Sequence, residues 1–289
     1  MKTNSKSLQS ATVLKVINKV VLYVVLVLLA IPILWPFWWM FTSAFKKTYE
    51  IFAFPPTLLP TQWNWQNFAD AFTYQPFAQH YFNSLYIAIL VTLGTLIFSS
   101  LAGYAFARIP FWGSSIIFLL LLSALMMPPE VTILPNFLMM QKLNLINTHI
   151  PLIILPILGS NGVMSTFMMR QFFLNLPKEL EEAARIDGLD RPGIFFRVIL
   201  PNAKPALAAV AILTFLYSWN SFLEPLIYLN DIKLFTLPLS LRNFTDAYGQ
   251  PLWNVQLAAT VMAVVPVLIF YILAQRQVVE SFSFSGSKG

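Results

Sequence analysis

Six long apolar stretches constrain the fold of this chain more strongly than any other feature. A helix needs about 20 mostly apolar residues to cross a bilayer. Only the stretch that contains Glu224 includes a charged residue. Each stretch is therefore expected to form one membrane-spanning helix. The predicted spans are about 20–45, 81–107, 109–129, 143–169, 205–229 and 257–275.

The composition favours the same class of protein. Of the 289 residues, 57% are hydrophobic and 10% are charged, whereas a soluble domain carries about 25% charged residues. The apolar run at 20–45 is longer than the roughly 7–15 residues of a cleaved signal core, so it is expected to be retained. We predict an all-α, polytopic membrane protein with one six-helix domain at 20–279, flanked by an N-terminal segment at 1–19 and a C-terminal tail at 280–289.

The lysine and arginine residues predict how the chain is oriented. If the N-terminus is cytoplasmic, the inside segments hold thirteen of these residues and the outside segments hold five. Because Lys and Arg are enriched in cytoplasmic loops, this ratio places both termini and the loop 170–204 in the cytoplasm. The net charge of +6 lies in loops and tails rather than on one stripe, so nucleic acid is not an expected partner. The chain has no cysteine, which excludes disulfides and thiolate chemistry.

The loop 170–204 holds eleven of the thirty Asp, Glu, Lys and Arg residues. Pro177 suits the first turn of a short helix, and Gly188 can take the left-handed conformation that ends it. Within that helix Glu181 can pair with Arg185 at a spacing of four residues. A second short helix is expected to start near Asp190. Two adjacent alanines give the first helix a low surface that can enter a groove on a partner.

At this loop the sequence resembles the membrane subunits of binding-protein-dependent ABC importers. Their cytoplasmic signature is Glu-Ala-Ala, three residues, Gly, then nine residues before Ile-x-Leu-Pro. Here the signature begins at Glu182, and Val198 is its only, conservative, departure. The stretches GYAFAR at 103–108, WNSF at 219–222 and TLP at 236–238, with the terminal Lys-Gly, resemble the maltose-type carbohydrate branch.

The resemblance implies a type I ABC importer permease fold, with a coupling helix between spans four and five. It also implies a plasma-membrane location in a bacterium or archaeon and alternating access in a heterodimer with a companion permease. An extracytoplasmic binding protein would deliver the substrate, and a cytoplasmic ATPase dimer would hold ATP and Mg. The predicted ATPase-coupling residues are Glu181, Glu182, Ala183, Ala184, Arg185, Asp187, Gly188, Leu200 and Pro201.

The ten glycines form no Gly-x-x-x-x-Gly-Lys-Ser/Thr phosphate loop, so this chain is not expected to bind ATP. An ion-coupled secondary carrier is the alternative, but ion pathways place several ionisable groups within the membrane. Here only Glu224 lies inside a span, with His149 near a boundary. A scaffold that recruits a cytosolic partner is a third possibility. No catalytic constellation or metal site is expected, because His80 and His149 lack metal-ligand spacing.

The fifth span offers a candidate substrate pathway. Tyr217, Asn220, Glu224 and Tyr228 share one face of a continuous helix at this spacing. Tyrosine rings, an amide and a carboxylate suit a neutral sugar, and Glu224 would repel a glycerophosphate, the other cargo considered besides polyols. Equally, the tyrosines could pack the helix while the polar pair contacts the companion permease.

Overall fold

A computed structural model describes residues 4–246 and 248–286, with side chains described for 16–128, 130–246 and 248–272. The described residues are mainly helical and contain no β-strand. In chain order the α-helices are α1 (Asn4–Ser43), α2 (Thr48–Ile51), α3 (Gln66–Tyr74), α4 (Phe77–Arg108), α5 (Ser114–Ser123), α6 (Pro129–Lys142), α7 (Ile150–Leu158), α8 (Ser160–Asn175), α9 (Glu179–Ile186), α10 (Arg191–Ile194), α11 (Leu200–Asn202), α12 (Lys204–Trp219), α13 (Leu223–Tyr228), α14 (Leu237–Leu241) and α15 (Trp253–Gly286).

The all-α membrane class is confirmed, and the number of spans lies between four and six. Four described stretches are long and apolar enough to cross a bilayer alone: Val16–Ser43, Phe77–Arg108, Ile150–Asn175 and Trp253–Ile272. Two bent pairs bring the number to six if each is one span. These pairs are Ser114–Met126 with Glu130–Lys142, bent by 105°, and Arg191–Asn202 with Lys204–Trp219, bent by 76°.

The third and fourth spans differ in position from the expectation. A helix, α6, occupies residues that were expected to form an outside loop, and it follows a sharp bend at Pro128, whose φ and ψ are −58° and 133°. The fourth span begins at Ile150 rather than near 143, because Asn144 and Asn147 adopt positive φ and cannot continue a helix. It ends at Asn175 rather than 169, and the charged Arg170 lies within the helix, where its side chain donates to the Phe106 carbonyl.

The fifth span is not one continuous helix, which corrects the expectation for 205–229. Helix α12 ends at Trp219, and α13 begins at Leu223. A continuous helix would need Pro225 to donate to the Ser221 carbonyl, but proline has no N–H and its ring would clash there. The break therefore follows from the sequence at Pro225. Helix α15 continues through most of the predicted tail, and the terminal Lys-Gly match lies outside the described residues.

Contacts divide the chain into two compact units, one within 1–71 and 245–261 and the other within 72–244 and 262–289. In the first unit Lys46 is fully buried, and its Nζ donates to the Thr57 carbonyl at 2.6 Å and lies 4.2 Å from the Trp39 ring centre. Burial lowers the pKa of Lys46, while the nearby Glu50 carboxylate acts in the opposite direction. Glu50 in turn accepts from the Thr61 backbone N–H at 2.8 Å.

Helix α4 is the centre of the second unit and packs against α7, α8 and α12. Near its first turns, polar side chains hold the segment that follows α13. His80 Nε2 lies 2.6 Å from the Ile232 carbonyl, and His149 Nε2 lies 2.6 Å from the Leu234 carbonyl. Asn83 donates to two further carbonyls of the same segment. Both histidines thus bind backbone oxygen, and the described residues contain no cluster of metal-ligating side chains.

Candidate functional site

The loop after α8 has an outer face and an inner face. On α9, Glu182, Ala183 and Ile186 are exposed, with Ile186 86% exposed, whereas Glu181 and Ala184 are buried against the chain itself. A helix with buried residues on one side and exposed residues on the other is amphipathic. Its outer side, defined here as Glu182, Ala183 and Ile186, is the surface available to a partner.

The inner face is held by a buried ion pair. Arg108, the last residue of α4, places Nε 3.3 Å from Glu181 Oε1, and the two side chains are 5% and 9% exposed. The same guanidinium donates through Nη2 to the Phe173 carbonyl at 2.7 Å and to the Leu176 carbonyl. Arg185 lies at the edge of this pair, 3.9 Å from Glu181 Oε2, which matches the predicted spacing.

Local sequence fixes the turn between α9 and α10. Gly188 has φ +82°, a left-handed conformation in which side chains are strained, and it stands directly after Asp187, the C-cap of α9. Asp190 then caps α10, because its Oδ1 accepts from the Gly193 N–H at 2.9 Å. A π-helical turn, Phe195–Ile199, joins α10 to α11.

A hydrophobic cluster lies beneath the loop and joins it to α4 and α8. The Tyr104 ring lies 5.1 Å from the Phe195 ring and 6.0 Å from that of Phe173. Ala184 is buried in this cluster, and Leu200 packs against it. Of the predicted coupling residues, the structure therefore turns Glu181, Ala184 and Leu200 inward. Outward-facing members are Glu182, Ala183, Arg185, Asp187, Gly188 and Pro201.

The predicted substrate residues divide differently. Tyr217, Glu224 and Tyr228 line a cavity of about 490 Å³ within the second unit. The Glu224 carboxylate accepts from Tyr217 Oη at 3.2 Å and from Ser221 Oγ at 2.7 Å. Asn220 does not line this cavity. Asn220 is the C-cap of α12, and its Nδ2 donates to the Leu216 carbonyl at 2.8 Å.

Sequence reasoning missed several residues of both sites. Ser221 binds Glu224, and Thr132, Asn136 and Ser160 contribute further polar groups to the cavity. Only Ser221 had a signal, because it lies inside the family-like stretch 219–222. Arg108 likewise ends the stretch 103–108, but nothing in its spacing indicated a partner in a distant loop.

Long apolar helices and a short amphipathic helix on an internal charged loop place the chain in the class of helical integral membrane proteins. The chain belongs to the family described as binding-protein-dependent transport system inner membrane component, whose model matches residues 96–280. It is the permease subunit of an ABC importer and a multi-pass protein of the plasma membrane.

Curated relatives agree with this assignment. The chain is 40% identical to the arabinooligosaccharides transport system permease protein AraQ of Halalkalibacterium halodurans, over 86% of this chain and 88% of that protein. It is 34% identical to the sn-glycerol-3-phosphate transport system permease protein UgpE of Yersinia enterocolitica, over 78% and 82%. The fold resembles a chain of a bacterial ABC transporter involved in import of the acidic polysaccharide alginate. That likeness has a TM-score of 0.78 at 22% identity and covers 90% of this chain and 96% of that one.

Proposed function

We propose that this permease subunit imports a neutral sugar or oligosaccharide, driven by ATP hydrolysis on a separate cytoplasmic subunit that binds the outer side of α9. The observation that carries the proposal is the two-sided environment of α9. Its inner residues are fixed to the membrane helices, and Glu182, Ala183 and Ile186 are left free for a partner. A small, partly apolar surface beside a carboxylate fits a groove with a basic residue.

The partners follow from this arrangement. With no phosphate loop in its sequence, the chain needs an ATPase dimer that supplies ATP and Mg. Family membership supports a companion permease and a binding protein that delivers substrate from outside. In this proposal the chain catalyses no reaction itself. Its part is to alternate between two states whose balance ATP and the loaded binding protein both change.

The cavity supports a neutral cargo. Tyr217 and Tyr228 offer ring surfaces, and Glu224 is an acceptor for hydroxyl groups. The same carboxylate would repel a phosphate group. An sn-glycerol-3-phosphate importer is the second candidate, because relatives such as UgpE carry that name. The two candidates are distinguished by measuring uptake of a neutral sugar and of sn-glycerol-3-phosphate by the same reconstituted complex. Only the neutral sugar is expected to be transported.

The decisive experiment is reconstitution of the chain with its companion permease, ATPase and binding protein in proteoliposomes. We expect sugar uptake that requires ATP and no ion gradient. The substitution Glu182→Lys should weaken ATPase association about tenfold, equivalent to about 1.4 kcal/mol, because it reverses the charge on the outer side. Uptake by this chain alone under an ion gradient would instead establish the secondary-carrier alternative. Unchanged ATPase binding by Glu182→Lys would contradict the proposal that the ATPase binds the outer side of α9.

A second substitution tests the cavity. A hydrogen bond to a charged group contributes about 1.5–3 kcal/mol, so Glu224→Gln should raise the substrate concentration for half-maximal uptake about tenfold or more. Asn220→Ala is the matched comparison, because Asn220 lies on the same segment but outside the cavity lining. If the two variants transport equally well, the substrate pathway does not run past Glu224.

A further inference from the structure

The ion pair between Arg108 and Glu181 is buried, unlike the other charged side chains of the loop. Arg108 ends the central helix α4, and Glu181 lies on the inner face of α9. The Nε–Oε1 distance is 3.3 Å, and both side chains are almost fully withdrawn from solvent. Exposed ion pairs contribute little, whereas a buried pair is strongly coupled, because removing one partner leaves an uncompensated charge.

The guanidinium of Arg108 also binds the end of a third element. Its Nη2 donates to the carbonyls of Phe173, in the last turn of α8, and Leu176, just beyond that helix. One side chain thus contacts α4's own end, the end of α8 and the coupling helix. Arginine suits this position because its planar group presents several donors in fixed directions.

Tight packing around the pair leaves little room for independent movement of these elements. A Cβ on Gly103 would come within 2.8 Å of Met169 Cβ and 2.9 Å of the Arg170 backbone nitrogen, so α4 and α8 are in close backbone contact. Ala184, one turn along the inner face from Glu181, is buried in the cluster with Tyr104 and Phe195. Close-packed interiors transmit displacement rather than absorb it.

We propose that Arg108 and Glu181 form a strut that makes α4 follow any displacement of α9, so that both are positioning residues for coupling ATP hydrolysis to opening of the membrane helices. The inference rests on the proposed function, in which the ATPase grips the outer side of α9. It assigns Glu181 to the interior of this chain, where it acts on α4, and leaves Glu182 to contact the ATPase.

The test compares substrate molecules transported per ATP hydrolysed in the complete reconstituted complex. Residues that carry coupling typically change it by about 0.5–2 kcal/mol, which corresponds to about 2- to 30-fold. We expect Glu181→Gln and Arg108→Gln each to lower the transport ratio within this range while ATPase association is retained. Because the readout is a ratio, it does not depend on how much complex folds. Glu179→Gln, which removes a charge at an exposed position of the same helix, is the matched control and should leave the ratio unchanged.

The double variant Arg108→Gln with Glu181→Gln distinguishes a strut from two separate contributions. If the residues act through each other, the double variant has a ratio no lower than the worse single variant. Losses that multiply would overturn the proposal, as would loss of ATPase association in Glu181→Gln equal to that in Glu182→Lys. Should Arg108→Gln fail to accumulate, Glu181→Gln carries the test alone, because it retains the guanidinium and its carbonyl contacts.

A distance measurement gives a readout that a merely stabilising pair would not change. The chain has no native cysteine, so spin labels can be placed specifically at Glu179→Cys, an exposed position of α9 away from its outer side, and at Leu101→Cys on α4. With Glu181 present, we expect one narrow distance distribution before and after ATP binding. With Glu181→Gln, the distribution should broaden or shift on ATP binding. A narrow, unchanged distribution in that variant would contradict the strut. If the complex without substitutions does not couple ATP hydrolysis to uptake, the proposed function itself is contradicted.

Discussion

Glu181 and Glu182 are adjacent in sequence and have opposite surroundings. Glu181 is buried beside Arg108, and Glu182 is exposed on the outer side of α9. Successive residues on a helix are separated by about 100°, so neighbours can face different environments. The loss of a carboxylate therefore has different consequences at the two positions. At Glu181 it leaves a buried guanidinium without its partner, while at Glu182 it changes only the surface presented to other proteins.

Gly188 gives a prediction at the same scale. Its φ is +82°, and a Cβ there would have no atom within 4 Å, so any penalty for a side chain comes from backbone conformation rather than crowding. Gly188→Ala should destabilise the loop by about 1–2 kcal/mol, whereas Gly188→Asn should cost less, because Asn tolerates the left-handed region. Thermal denaturation of the purified complex measures the order. Equal melting temperatures for all three proteins would contradict it.

Among the elements, α4 and α8 depend on a close approach at Gly103. Gly103→Ala brings its new methyl group against backbone atoms of α8 and should cost about 1–3 kcal/mol. Gly94→Ala on the same helix is the matched control, because its Cβ would meet the flexible end of the Ile157 side chain, which can rotate away. The midpoint of thermal unfolding should fall further for Gly103→Ala. A larger fall for Gly94→Ala would show that the side-chain contact dominates.

The sequence predicted which helices exist better than where they begin and end. Charge-free length identified the apolar stretches, because hydropathy is a local property. Their limits depended on features that a charge count ignores, such as the positive φ of Asn144 and the carbonyl that accepts from Arg170. Pro225 was readable as a helix breaker, but the shared-face argument for the fifth span assumed that the helix continued. The partner of Arg108 could not be predicted, since only the packing of α9 on α4 brings Glu181 to it.

For the whole molecule, the proposed orientation places both termini and the coupling loop in the cytoplasm. The absence of native cysteine allows single reporters at exposed positions, such as Phe54→Cys, 95% exposed, and Glu179→Cys in the loop 170–204. A membrane-impermeant maleimide should label Phe54→Cys on intact spheroplasts and Glu179→Cys only after permeabilisation, because the Lys and Arg count places residue 54 outside and the loop 170–204 inside. The reverse labelling pattern would contradict the proposed orientation and place the loop 170–204 outside the cell.

Helix α1 has an exposed apolar surface along its membrane-spanning stretch. None of its most apolar 18-residue window is buried by other described parts of the chain. In water such a helix would aggregate, whereas in a bilayer its apolar surface is satisfied by acyl chains. The apolar surface of this stretch is therefore expected to face acyl chains.

The position of Arg108 also has a consequence for biosynthesis. Arg108 is synthesised well before Glu181, so its guanidinium has no carboxylate partner while the helices between them are made. In the proposed orientation, this charge first helps to retain the end of α4 in the cytoplasm during membrane insertion. Only afterwards does the same charge become buried beside Glu181. The same side chain thus has two roles in succession. It first helps to orient a newly made helix in the membrane, and it later forms a buried ion pair in the folded protein.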